Sequence, residues 1–154
     1  MKLQYRLTLP IQSSLGSDTF KSASAEIKDA LADLMLDAYS GTVDYEGEGL
    51  QEAKDEIGNL LGGVYGTFLA DHSYALWDKN VLVSATLVTL MKERPLLAFS
   101  MTRSDFKRHG YARRLITATA NSLWESGYSS LDLWVTDSNE PAIKLYEELG
   151  FQIV

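Results

Sequence analysis

The strongest constraint on this chain is the change of hydrophobic period between residue 96 and the C-terminus. Leu96 to Thr102 is a mostly apolar run of strand length. Tyr111 to Ser126 carries Leu115, Ile116, Ala120, Leu123 and Trp124 at helical spacing, and Gly127 stops it. Leu131, Leu133 and Val135 then alternate with polar neighbours through Thr136. Glu140 to Leu149 is helical again, Gly150 closes it, and Phe151 to Val154 begins a last strand. Strand, helix, strand, helix, strand requires crossover connections, and these place strands in parallel.

The first half follows another plan. Leu3, Tyr5, Leu7 and Leu9 alternate as in a half-buried strand, limited by Pro10. Residues 12–24 are rich in Ser and Gly and read as a loop. Ile27, Leu31, Leu34, Met35 and Ala38 form a helical stripe with Ser24 as N-cap; Leu50, Ala53, Ile57, Leu60 and Leu61 form a second, ended by Gly62-Gly63. Three strands follow, Tyr74 to Trp77, Val81 to Met91 and Leu96 to Thr102. Asp78-Lys79-Asn80 and Lys92-Glu93-Arg94-Pro95 are the turns between them, as in an antiparallel meander. The expected fold is a single mixed α/β domain over residues 1–154, an antiparallel meander joined to a parallel βαβαβ part.

Composition narrows the chemistry. The chain has 154 residues and no cysteine, which excludes disulfides, zinc–thiolate sites and cysteine nucleophiles. Two histidines without supporting ligand spacing predict no metal site. The net charge of −7 disfavours nucleic acid as a partner. No apolar run approaches the roughly 20 residues that span a bilayer, and Met1-Lys2-Leu3-Gln4-Tyr5 lacks a signal-peptide pattern, so a cytoplasmic, non-membrane protein is expected.

Against this acidic background one basic turn stands out, Lys107-Arg108-His109-Gly110-Tyr111-Ala112, followed by Arg113. It lies at a strand-to-helix junction. Free N–H groups and the dipole at a helix N-terminus favour an anion, and Gly110 and Ala112 let the backbone approach it closely. The cationic side chains add to this. Taken alone, such a turn is also what an ordinary junction with a solvated basic face would show.

The turn is similar to the Q/R-x-x-G-x-G/A motif of the GNAT superfamily of N-acetyltransferases. Gly110 and Ala112 match its small positions, Lys107 stands in place of Gln or Arg, and Ser104 stands where many members have proline. Downstream, Asn139, Ala142, Leu145, Tyr146, Gly150 and Phe151 resemble the N-x-x-A-x-x-L-Y-x-x-x-G-F segment of the same superfamily at every position. The close resemblance covers about residues 95–151.

The resemblance implies acetyl-CoA as co-substrate and no metal. Lys107, Arg108, His109, Gly110, Tyr111, Ala112 and Arg113 would hold the diphosphate. Backbone near Met101 and Thr102 would hold the pantetheine arm in a V between splayed strands. Asn139 would contact the cofactor or cap its helix, and Tyr146 would protonate the departing thiolate as general acid. The acceptor would be the primary amine of a small molecule or peptide, attacking directly in a ternary complex. A non-catalytic acyl-CoA-binding module is the alternative, and it would not require Tyr146.

For the acceptor side the residues are Tyr39, Asp44, Glu46, Glu48 and His72. Asp71 and Asp137 are further candidates for the base, and Tyr45 for a wall of the site. In the superfamily a further strand usually follows the Gly-Phe strand and lies beside the strand of residues 131–136. This chain carries no such segment after Val154. Three outcomes are expected of the vacancy: the final strand pairs there directly, a partner chain fills it and makes a homodimer, or the form is shortened.

Overall fold

The computed structural model describes residues 1–11 and 20–154. Its strands are β1 (Lys2–Thr8), β2 (Lys21–Ser22), β3 (Thr67–Phe68), β4 (Tyr74–Asp78), β5 (Val81–Met91), β6 (Arg94–Thr102), β7 (Ser130–Thr136) and β8 (Gln152–Ile153). Its α-helices are α1 (Lys28–Tyr39), α2 (Leu50–Leu61), α3 (Tyr111–Glu125) and α4 (Glu140–Leu149). The expected elements are present, several with the expected bounds. The loop read over residues 12–24 lies mostly outside the described residues, and its end contains the short β2.

The helices form where apolar stripes and caps coincide. Leu31, Leu34, Met35 and Ala38 are the buried stripe of α1. The Ser24 side chain accepts from Glu26 N at the head of a 3-10 turn that precedes α1. Asn139 caps α4 by accepting from Ala142 N, and Gly150 ends that helix at φ 106°, a left-handed conformation that favours glycine.

The strands form one sheet in the order β2-β4-β5-β6-β7-β1-β8, with β3 also paired to β5. β4, β5 and β6 are the expected antiparallel meander, and β6 and β7 are the parallel neighbours. Helices α1 and α2 cover one face, where Leu31, Leu34, Ile57, Leu60, Leu87 and Met101 form a core. Helices α3 and α4 cover the other, where Tyr5, Leu7, Ile116, Leu123, Leu131 and Phe151 form a second.

The vacancy beside β7 is filled from within the chain, by β1 rather than by the final strand or by a partner chain. β1 runs antiparallel to β7 in continuous register from Lys2↔Thr136 to Thr8↔Ser130. β8 then pairs with the far edge of β1, through Tyr5↔Ile153 and Arg6↔Gln152. β7 and β8 therefore keep the same direction, as the crossover rule requires, with the N-terminal strand between them. The alternation of β1 explains its fit: Tyr5, Leu7 and Leu9 are buried against α3 and α4, while Gln4 and Arg6 face the opposite side. The ground for expecting a dimer, an unpaired β7 edge, is removed.

Candidate functional site

β6 and β7 meet at a single register pair, Leu96↔Asp132. Beyond it the two parallel strands separate, so their facing edges are not paired with each other. A β-bulge in β6 accompanies the separation: Leu87 opposes Phe99 and Val88 opposes Leu97, which leaves Ala98 as the extra residue. Bulges bend a strand and re-aim its side chains, and here the bend lies beside the opening. The result is a cleft of about 1240 Å³.

The turn after β6 closes one end of this cleft and is fastened to α1. Arg103 pairs with Asp33 at 2.9 Å, and Ser104 N donates to Asp37 at 2.7 Å. The Lys107 ammonium donates to the carbonyl of Ala38 at 3.2 Å, in the last turn of α1, where a cation is favoured. Arg108 and Gly110 are both left-handed, at φ 67° and 79°. Alternation of hand turns successive N–H groups toward one side, as in an anion nest. Gly110 is the N-cap of α3, and a Cβ there would meet no atom within 4 Å, so conformation rather than space selects glycine.

Lys107, Arg108, Gly110, Tyr111, Ala112 and Arg113 all line the cleft, as do Met101, Thr102 and Asn139. Arg113 is ion-paired with Glu148 of α4, which draws α3 and α4 together. His109 is exposed and stacks on Tyr111, with centroids 5.7 Å apart, and it does not line the cleft.

Tyr146 enters from α4, beside Phe151, and faces the opening between the strands. Burial pushes its phenol up to about 12, against a hydrogen bond with Ser100 of β6 that pulls the other way. The group is therefore a neutral proton donor at any physiological pH. Across the cleft stands Tyr39, whose phenol is raised first by burial and then by its proximity to Tyr146, Asp44 and Glu56.

The acceptor-side expectations divide. Tyr39, Asp44, Tyr45 and Glu48 line the cleft. Asp44 accepts from the Thr136 hydroxyl at 2.7 Å, which latches the loop between α1 and α2 onto β7. Glu46 is exposed and does not line the cleft. His72 does not reach it either: it is 9% exposed, its Nδ1 lies 2.6 Å from Ser122 Oγ on α3, and it meets the Tyr128 ring edge-on. Its short turn packs on the α3 face, so its role there is structural. Asp71 and Asp137 are likewise elsewhere; Asp137 faces the N-terminal ammonium at 3.5 Å.

Sequence reasoning missed Glu52, Glu56, Tyr65, Phe99 and Trp134, all lining the cleft. Glu52 and Glu56 are four apart on α2 and thus share one face, a signal hidden inside a generally acidic segment. Trp134, on β7, is 55% exposed where that strand faces the opening. Among the described residues, no group of three or more His, Cys, Asp or Glu could hold a metal, and no helix is long and apolar enough to cross a membrane.

Comparison with known proteins agrees with this architecture. Residues 84–154 match the family model described as FR47-like protein. Over 72 residues, 47% of this chain, the sequence is 39% identical to the [ribosomal protein bS18]-alanine N-acetyltransferase of Haemophilus ducreyi. The matched region spans 49% of that relative's length. An acetyltransferase of the GNAT family from Colwellia psychrerythraea superposes with a TM-score of 0.75 at 17% identity, covering 99% of this chain and 52% of that one. PaiA N-acetyltransferase from Thermoplasma acidophilum, solved in complex with coenzyme A, gives a TM-score of 0.71 at 13% identity over 90% and 92% of the two chains.

Proposed function

We propose that this chain, of the GNAT type in its fold and in the motif-bearing half of its sequence, is an acetyl-CoA-dependent N-acetyltransferase acting on a primary amine. The observation that carries the reading is Tyr146: a half-buried, neutral phenol from α4 that reaches the gap between β6 and β7 beside Ser100. The PaiA complex with coenzyme A and the S18-alanine N-acetyltransferase relative support the choice of co-substrate and of an amine acceptor.

The donor set suits an acyl-CoA. The diphosphate needs several donors from one side; the first-turn N–H groups of α3 and the Lys107 and Arg108 side chains supply them. The pantetheine arm carries amides, and the edges of β6 around Met101 and β7 around Val135 offer it strand-like pairing. Asn139 is already used as the cap of α4, so its part is to hold the turn that presents that helix.

In the transfer the neutral amine nitrogen forms a bond to the thioester carbonyl carbon, and the carbon–sulfur bond then breaks. The electron pair leaves on sulfur, and Tyr146 gives that sulfur its proton. The amine loses a proton to water or a carboxylate in the acceptor half of the cleft. Burial raises the phenol, and it raises the basicity of a thiolate released beside it as well, so the two stay matched.

The test is release of free thiol from acetyl-CoA across a panel of amines, with acetyl-CoA affinity measured in parallel. The chain has no cysteine, so a thiol-reactive dye has no protein background. Tyr146→Phe is expected to lower turnover by about 10²-fold or more and to leave acetyl-CoA affinity unchanged. Tight binding without turnover of any amine would favour the binding module; absence of both would refute the reading.

A further inference from the structure

The segment that leads into the anion nest is held on α1 at two adjacent residues. Ser104–Phe106 is a 3-10 turn whose N-cap, Arg103, makes no side-chain capping bond. Its first N–H, on Ser104, donates instead to the Asp37 carboxylate at 2.7 Å, and the Ser104 hydroxyl donates to the other oxygen at 3.3 Å. Asp37 therefore caps, from another helix, a turn that has no cap of its own. Lys107, which ends the same turn, reaches the carbonyl of the next residue of α1, Ala38. Arg108 and Gly110, the left-handed residues of the nest, follow at once.

By itself Asp37 is badly placed. It stands in the last turn of α1, where the helix dipole disfavours a negative charge and no basic residue offsets it. It also stands beside the turn proposed to bind a diphosphate, which a carboxylate repels. Asp33, one turn back on the same face, carries the same charge to a different end. Its side chain is 65% exposed and pairs with Arg103, whose Nε keeps the Leu82 carbonyl as a second partner. Exposed pairs of that kind contribute little. Asp37 is half-buried and holds a backbone N–H, so it fixes main chain rather than the end of a side chain. It does not line the cleft.

We propose that Asp37 is a positioning residue for the cofactor. Its carboxylate touches no part of the ligand; it holds the start of the turn so that the nest and the first turn of α3 present their N–H groups to the diphosphate. The assignment rests on the acetyl-CoA reading above and adds to it a residue 67 positions before the turn it holds. The sign of the effect separates this role from a bystander's. A carboxylate that only stood near the anion would weaken its binding, and its removal would tighten CoA. A carboxylate that holds the turn does the opposite, and its removal weakens CoA.

The test is calorimetric titration of the protein with CoA. Asp37→Ala is expected to weaken binding about tenfold or more. Ala is the better helix former, so α1 itself is not at risk, and urea unfolding checks the fold. Asp37→Asn loses the charge but keeps an acceptor for the Ser104 N–H, and it is expected to bring affinity back to within about threefold of wild type. Asp33→Ala removes an equal charge from the same face and is expected to change affinity by less than about threefold. In the free protein, amide exchange at Ser104 is expected to quicken in Asp37→Ala and not in Asp37→Asn. CoA that binds Asp37→Ala as tightly as wild type, or more tightly, would overturn the proposal. So would a loss in Asp37→Asn equal to that in Asp37→Ala. The parent reading fails separately, on wild-type protein that does not bind CoA, and the proposal would fall with it.

Discussion

The ion pair between Arg6 and Asp132 should decide whether the N-terminal strand stays in the sheet. Asp132 accepts from Arg6 through Nε at 2.7 Å and through Nη2 at 2.9 Å, and from Gln4 Nε2 at 3.2 Å. The carboxylate is 7% exposed and the guanidinium 32%. Asp132 is also the residue of β7 that pairs with Leu96, at the apex of the V. Arg6→Ala leaves this carboxylate desolvated, with one weak donor. Breaking a fully buried pair costs about 3–5 kcal/mol. Water reaches the arginine side here, so the expected loss is smaller, about 2–3 kcal/mol. In urea unfolding the midpoint should fall at constant slope, and Tm should drop by roughly 5–10 °C for a chain of this size. Replacing both partners, Arg6→Met with Asp132→Leu, should restore most of the loss, because the cost lies in the orphaned charge rather than in the missing bond. Acetyl-CoA affinity should follow the single mutant down, since the apex sets the spacing of the cleft. A loss within about 0.5 kcal/mol for Arg6→Ala, the range of ordinary surface substitutions, would refute the view that this pair pins β1.

Two further outcomes follow from the site. Tyr146 is pushed up to about 12 and Tyr65 to about 12, the first by burial and the second chiefly by its hydrogen bond to Glu56. Both folded values exceed the ordinary phenol value of about 10. The stability they contribute is present in full below about pH 10 and is lost as pH rises toward 12. Thermal unfolding from pH 8 to 11 should show the decline, and it should be shallower in Tyr146→Phe. Gly110→Val forces a β-branched residue to φ 79° at a cost of about 1–2 kcal/mol. It should also raise the KM for acetyl-CoA by roughly tenfold or more through a displaced turn, while Gly127→Ala, left-handed but remote from the cleft, should leave KM unchanged.

The helices and the meander were legible because local signals and packing agree. Asn139, Pro141 and Gly150 bracket α4 as caps and breakers should, and the 11-residue run of β5 is buried almost throughout. The anion turn was legible through Gly110, since a left-handed helix entry leaves a glycine in the sequence. The place of β1 was not legible. Alternation fixes which face of a strand is buried but not which neighbour it pairs with, and the nearest strands in sequence are not its partners. The pair that does specify the register, Arg6 with Asp132, is 126 positions apart. This part of the cleft lining was hidden for a similar reason. Tyr39, Glu56, Tyr65 and Phe99 come from two helices, a loop and a strand, and each has an unremarkable local context.

The intercalation of β1 also accounts for how the cleft can exist. A strand edge left without partners is a liability, and two such edges facing each other would be expected to zip together. Here each wall of the V is held from outside. β7 is paired along its whole length by β1, and β6 is paired by β5 from Met91↔Arg94 to Ser84↔Thr102. The bulge at Ala98 and the right-handed twist of the sheet then direct the two strands apart beyond Leu96↔Asp132. The Ser84 hydroxyl donates to the Met101 carbonyl at 3.0 Å and lies 2.9 Å from Thr102 Oγ1, which stiffens β6 where it has no inner partner. Asp44 is fixed to Thr136 at the tip of the other wall. The opening between the strands is thus built into the sheet by its outer pairings, and a chain that lacked β1 would lose the support of one wall before it lost any residue that lines the cleft through its chemistry.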